Sequence, residues 1–212
     1  MFTGLIEEIA LIKNFHKTGT FYTLSIESNI TSELKIGQSV SISGACLTVT
    51  KINSKIFDVQ LMQETYIRTW FNKNLRAGTR VNLERAIKLT DRLDGHLVLG
   101  HVDGIATLKE IKGNQTREAV FIPEDRNLLR GIVEKGSVCI DGVSLTVINA
   151  GDSSFSVGLI PETLKATTLG SLKSGSIINL ETDILGKYIE RLINFDSRNN
   201  KPGNYLTSLL EL

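Results

Sequence analysis

Two hydrophobic periods divide the chain. Stretches such as "QSVSISGACLTVTKI", "KIFDVQLM", "GSVCIDGVSLTVINA" and "SFSVGLI" place apolar residues at alternate positions and break at Gly, Asn, Lys-Gly or Asp-Ser. Alternation over such lengths predicts half-buried strands, and strands at short, regular spacing predict a barrel or sandwich. One stretch follows the other period. Residues 184–195 carry apolar side chains at 185, 188, 189, 192 and 193, the stripe of an amphipathic helix. The run "EDRNLLRGIVEKG" predicts a short helix stopped by Gly136, and "ITSELKIGQ" predicts a poorer one in a matching slot. The tail "DSRNNKPGNYLTSLLEL" opens polar with a Pro-Gly break, so it predicts a frayed end or one more short turn of helix.

The strand pattern occurs twice. Sliding the chain by 98 residues lays residues 39–50 on 137–148 with seven of twelve positions identical. At the same offset residues 59–69 fall on 157–167, with Val, Leu, Glu, Thr and Thr matching. Val81-Asn82-Leu83-Glu84 echoes Ile178-Asn179-Leu180-Glu181, and Gly4-Leu5-Ile6 is matched to Gly104-Ile105-Ala106. Chance gives roughly one match in fifteen positions. The period is too long for a solenoid and suits a small domain, so the chain is a tandem duplication with room for about six strands in each copy.

Composition narrows the function. The 212 residues carry a net charge of +1 and only 6% aromatic residues, which is neither the basic footprint nor the stacking surface of a nucleic-acid-binding barrel. Cys46 and Cys139 sit at non-equivalent positions of the two copies, opposite Ser144 and Ser41, and predict free thiols in a cytoplasmic setting. His16, His96 and His101 lack zinc-ligand spacing, so no metal site is expected. The start "MFTGLIEEIA" does not read as a signal peptide, and no run is long enough to predict a membrane span.

What differs between the copies is chemistry. "SGACLTV" becomes "DGVSLTV", so Cys46 is replaced by Ser144 while Thr48 recurs as Thr146. Residues two apart project from one face of a strand, so each pair can address one ligand. A free cysteine on a strand is also an ordinary apolar lining residue. His101, in "LGHVDG" at the junction of the copies, can move a proton near neutral pH or be satisfied by backbone at a strand start. His96, in "DGHLV", is expected to be structural.

"MFTG", "GACLTVT", "NLERAI", "GHLVLGHVDG", "DGVSLTV", "LIPETLKATTLG" and "NLETD" stand in this order. With them the chain, to about residue 195, resembles the riboflavin synthases of the trimeric, tandem-barrel, lumazine-binding kind. The resemblance implies a mostly β fold of two six-stranded Greek-key barrels and a carboxy-terminal helix. The units are then 1–95, 96–184 and an association segment, 185–212. It implies conversion of two 6,7-dimethyl-8-ribityllumazine molecules, without cofactor or metal, into riboflavin and a diaminopyrimidine. The pockets would meet between neighbouring subunits of a homotrimer, and association with lumazine synthase is a further family expectation.

The same resemblance assigns Cys46, His101, Ser144 and Thr146 to catalysis. Substrate would be lined by Gly4, Leu5 and Ile6 with Gly104, Ile105 and Ala106, and by Cys46, Leu47 and Thr48 with Ser144, Leu145 and Thr146. Strand ends would add Gln60, Leu61, Met62, Gln63, Glu64 and Thr65 in one copy and Gly158, Leu159, Ile160, Pro161, Glu162 and Thr163 in the other. Gly100 and Val102 flank His101, and Lys135, Asp141 and Asp183 complete the set. Asp94, Leu99, Gly131 and "RTWFNKNL" depart from the family pattern; Leu99, beside His101, is expected to share its side of a strand.

Three other functions compete. A non-catalytic lumazine- or flavin-binding antenna of the same barrels is expected to lose the cysteine and histidine motifs, which stand here. A nucleic-acid-binding barrel fails on charge and aromatic content. A flavin reductase needs a Gly-rich nicotinamide-binding segment after a strand, and the sequence has none.

Overall fold

The computed structural model describes residues 1–113 and 117–198. The first barrel is built from β1 (Glu8–Thr18), β2 (Phe21–Glu27), β3 (Ser39–Ile42), β4 (Ala45–Asn53), β5 (Ile56–Met62) and β6 (Arg80–Arg85). These antiparallel strands close in the order β1-β2-β5-β4-β3-β6. Because β2 lies beside β5 while β3, β4 and β5 follow one another, the path is a Greek key. The second barrel uses β7 (Gly104–Lys112), β8 (Arg117–Pro123), β9 (Ser137–Ile140), β10 (Val143–Ala150), β11 (Phe155–Leu159) and β12 (Ile177–Thr182) and closes in the equivalent order.

Alternation fills each barrel. In β4, Ala45, Leu47 and Val49 are buried while Thr48 is exposed, and β10 repeats this with Val143, Leu145, Val147 and Thr146. Phe57, Leu24 and Leu83 lie in the first core; Phe121 stacks on Phe155 at 5.7 Å in the second. The two short helical runs expected before β3 and β9 are 3₁₀ turns, Asn29–Glu33 and Arg126–Gly131, capped by Ser28 and Asp125. After β5 and β11 come α1 (Gln63–Arg68) with α2 (Phe71–Asn74), and α3 (Pro161–Ala166). The amphipathic stripe forms α4 (Ile184–Arg198), with Leu185, Tyr188, Ile189, Leu192, Ile193 and Phe195 exposed. Residues 199–212, where the end of the tail was expected to fray or form a short turn, lie outside the described residues.

The barrels meet through reciprocal contacts. The turns Ser43-Gly44 and Asp141-Gly142 both have positive φ at both positions, as tight hairpins require. They lie back to back: a Cβ on Gly44 would stand 2.8 Å from the Gly142 nitrogen, and one on Gly142 2.8 Å from the Gly44 nitrogen. Asn82 Nδ2 donates to the Asp141 carbonyl and Asn179 Nδ2 to the Ser43 carbonyl, each at 2.8 Å. Phe2 and Val98 exchange backbone bonds as an isolated antiparallel bridge.

This relation corrects one expected match. Glu8 pairs with Leu83 where Gly104 pairs with Leu180. The counterpart of Gly4-Leu5-Ile6 is therefore Gly100-His101-Val102, and not Gly104-Ile105-Ala106. Two glycines four residues apart made the wrong register look equally good. The side chains of Ile105 and Ala106 are buried in the barrel cores, away from the outer faces on which Cys46 and Ser144 lie.

Candidate active site

Each barrel presents one polar outer face beside a short leader segment. On the first, Cys46 is half-buried and Thr48 exposed on β4, and Thr48 pairs across to the exposed Gln60 of β5. The leader here is the stretch Leu99-Gly100-His101-Val102-Asp103. Its Gly100 carbonyl accepts the Cys46 N–H at 2.8 Å. Gly100 has φ +78°, and a Cβ there would fall 2.6 Å from Cys46 Cβ, so only glycine fits. Cys46, Glu64, Thr65, Arg68, Thr69, Gly100, His101, Val102 and Asp103 line a cleft of about 310 Å³. Cys46 and His101 thus share one pocket, although 55 positions separate them in sequence.

The second barrel repeats the plan with other atoms. The Gly4 carbonyl accepts the Ser144 N–H at 2.9 Å, and a Cβ on Gly4, at φ +79°, would stand 2.5 Å from Ser144 Cβ. Ser144 is half-buried and Thr146 exposed, on the same face of β10. Leu5, at the position equivalent to His101, and Ile160 present apolar surface. His96 joins this side: its Nδ1 lies 2.7 Å from Ser144 Oγ. His96, expected from sequence to be structural, is thereby placed against one of the expected site residues. Partial burial pushes the His96 pKa down, with the charge of Asp183 opposing the shift. Its neighbour Gly95 has no room for a side chain, since a Cβ would stand 2.0 Å from the Thr3 carbonyl oxygen and 3.2 Å from Ser144 Cβ.

Two glutamates hold the leaders in place. Glu84 accepts the Thr3 N–H, the Thr3 hydroxyl and the Gly4 N–H. Glu181 accepts the Leu99 and Gly100 N–H groups at 2.9 and 3.0 Å. Burial raises both carboxyl pKa values, and these hydrogen bonds pull them back toward ionisation. Leu99 is therefore gripped by its backbone, outside any regular strand.

Alternation turns the side chains of several expected lining residues inward. Leu47, Leu61, Leu145 and Leu159 point into the barrel cores, because a contiguous strand motif always includes the inward positions. Asp141 is also withdrawn from solvent: it is 4% exposed, and its Oδ1 accepts Trp70 Nε1 and the Asn179 N–H at 2.8 Å each. It serves the contact between barrels, where burial pushes its pKa up to about 7. Met62, Gln63 and Glu64 are exposed, with Thr65 half-buried; Pro161 and Glu162 are exposed, with Gly158 and Thr163 half-buried. Ile6, Val102 and Gly104 are half-buried, and Lys135 is exposed at a turn with φ +63°. Asp183 accepts the Leu185 N–H at the start of α4.

Arg68, Thr69 and Asp103, which line the cleft with Cys46 and His101, were not foreseen. Arg68 sits one turn from Glu64 on α1 and pairs with it at 3.1 Å, a spacing visible in "ETYIR". A larger cleft, about 580 Å³, runs past Leu5, Glu7, Arg85 and Arg92. It contains none of Cys46, His101 or Ser144, and Glu7, Arg85 and Glu33 are paired with one another within it.

The family described as the lumazine binding domain matches the chain twice, at residues 3–86 and 99–183. A riboflavin synthase of Actinobacillus pleuropneumoniae is 44% identical over 194 residues, covering 91% of this chain and 90% of that one. Those of Bacillus subtilis (strain 168) and Photobacterium phosphoreum are 38% and 36% identical, covering 94% and 100% of this chain and 93% and 97% of theirs. Among solved structures, LumP complexed with riboflavin superposes with a TM-score of 0.76 at 26% identity, covering 86% of this chain and all of that one. The paired family match and the near full-length likeness to these synthases place the chain in the riboflavin synthase, lumazine-binding domain family.

Proposed function

We propose that the chain is a riboflavin synthase, a transferase that converts two molecules of 6,7-dimethyl-8-ribityllumazine into riboflavin and 5-amino-6-ribitylaminopyrimidinedione. One observation carries the reading: two outer strand faces of the same construction, each closed by a leader glycine, present different polar groups. Cys46 and His101 stand at the first, and Ser144, Thr146 and His96 at the second. A dismutation needs that combination, since identical molecules must be bound alike yet treated differently.

The chemistry suits polar groups without a cofactor. The 7-methyl group of the donor is acidic because its carbanion delocalises into the ring, and the acceptor ring takes a nucleophile at C7. We assign transfer of the methyl proton to His101, and hydrogen bonds to the rings to Cys46 and Ser144. The outward faces of β4–β5 and β10–β11 give Gln60, Met62, Gly158 and Ile160 to the ligands; Glu64, Thr65, Glu162 and Thr163 suit the ribityl chain. We assign residues 1–95 and 96–184 to the two binding units and 185–212 to assembly. The exposed stripe of α4 supports association into a trimer, in which the first barrel of one subunit faces the second barrel of another. A cytoplasmic setting fits two free cysteines. No helix among the described residues is long and apolar enough to cross a membrane.

The test is an absorbance assay of the purified protein with the lumazine and no additive, beside Cys46→Ser and His101→Ala. Growth of the riboflavin band supports the synthase and ranks the two residues. Tight binding without conversion overturns it and leaves a binding protein.

A further inference from the structure

Each leader carries an acidic residue three positions after its glycine, Glu7 in the first and Asp103 in the second. Their partners are not equivalent. Glu7 accepts the backbone N–H of Arg85 and pairs with its guanidinium, which also reaches Glu33. All of this lies within the first barrel. In the second copy the position of Arg85 is taken by Thr182. Asp103 Oδ2 accepts the Thr182 N–H at 2.8 Å and its hydroxyl at 3.0 Å, bonds that bring no positive charge.

The missing charge comes from α4. Lys187 Nζ lies 2.7 Å from Asp103 Oδ1, and the two side chains are only 30% and 21% exposed. The same ammonium acts on Glu181 and favours its ionised form. Glu181 grips Leu99 and Gly100, Asp103 lies at the other end of the leader, and His101 stands between them. One lysine therefore balances both carboxylates that fix the backbone on either side of His101. It lies on the helix whose opposite apolar stripe is exposed. In the first leader the equivalent place is filled by Arg85, so the lysine of α4 acts on the leader that carries His101.

We propose that Lys187 is a positioning residue for His101, through which the docking of α4 against its own chain sets the geometry of the Cys46–His101 pocket. The inference rests on His101 working in that pocket. Without Lys187, Asp103 and Glu181 repel one another across the leader, and the backbone that carries the imidazole loses its fixed placement while the rest of the cleft persists.

The experiment uses the full chain as parent, Lys187→Gln, Lys187→Arg and His101→Ala. It measures kcat and KM, assembled mass by light scattering, and imidazole proton resonances by NMR. Only three histidines are present, and the signal lost in His101→Ala identifies that of His101. Lys187→Gln is expected to keep the parent's mass, lower kcat about tenfold with KM little changed, and shift the His101 signal. Lys187→Arg should restore kcat and the signal. Unchanged kcat in Lys187→Gln beside a damaged His101→Ala overturns the proposal. So does a loss of kcat that tracks loss of assembled mass, which would make Lys187 an assembly residue only. If Lys187→Gln and His101→Ala are both fully active, His101 has no part in the reaction and the premise itself fails.

Discussion

Gly4 and Gly100 serve opposite barrels in the same way. The carbonyl of Gly4, which precedes the first barrel, accepts the Ser144 N–H of the second, and that of Gly100, which precedes the second, accepts the Cys46 N–H of the first. Each leader is held by a glutamate of the barrel that follows it, Glu84 or Glu181, while completing the pocket of the other.

Alanine at either glycine is expected to disturb the pocket across the interface. The backbone strain costs about 1–3 kcal/mol, and the new Cβ overlaps Ser144 or Cys46 well inside van der Waals contact. Thermal unfolding should show a lower Tm for both variants. Ligand titration should show Gly100→Ala weakening the first barrel's pocket and Gly4→Ala the second's.

The contact between His96 and Ser144 predicts coupling. His96→Ala, Ser144→Ala and the double variant are expected to give a ligand-binding cycle with an interaction energy of about 1 kcal/mol. Strict additivity would separate the two side chains.

Asn82 and Asn179 are buried, and each makes two bonds across the interface. Asn82 also accepts the Thr168 N–H, and Asn179 the Trp70 N–H. Alanine at either leaves two backbone groups without partners, a loss of about 2–4 kcal/mol measurable by urea unfolding. Equal losses are expected from the two substitutions, because the bonds are reciprocal.

Asp141 predicts a dependence on pH whose sign follows from burial. Its folded pKa, about 7, lies above the ordinary 3.8, so the folded protein holds this proton more tightly than the unfolded chain. Its contribution is greatest below pH 3.8, declines as pH rises toward 7, and is flat above. The full span is on the order of 4 kcal/mol. Asp141→Asn keeps an acceptor for Trp70 and should flatten this part of the slope in unfolding measured from pH 5 to 8. Glu84 and Glu181, also raised, slope the same way and remain in the variant. Trp70, the only tryptophan, reports the local titration by fluorescence.

An acidic residue in the α4 stripe should break association. Ile189→Glu or Leu192→Glu places a charge on a face exposed in the single chain. Light scattering is expected to show a smaller particle, and activity should fall with it.

The repeat, the strand alternation and the α4 stripe were all legible, since each follows a short period in sequence. The candidate site was legible in its facing where it lies on a strand: Cys46 and Thr48, Ser144 and Thr146 emerge as outward pairs. A motif named as a block could not be split into faces, so Leu47, Leu61, Leu145 and Leu159 came along with their neighbours. His96 and Lys187 had no periodic signature, because they reach their partners from the connecting segment and from α4. Asp141 was expected to face the ligand, and its sequence gives no sign that the first barrel, through Trp70 and the Ser43-Gly44 turn, packs over it and buries it. The leaders were set in the wrong register because Gly104 resembles Gly4 in sequence, while hydrogen bonding selects Gly100.

The exchange of leaders has a bearing on descent. A single-barrel ancestor with the same leader would have completed its pocket only from a second copy of itself. Joining two such genes end to end would preserve every contact of that pair while freeing the copies to diverge. Cys46 opposite Ser144, and His101 opposite Leu5, are differences that no symmetric pair of identical chains can possess.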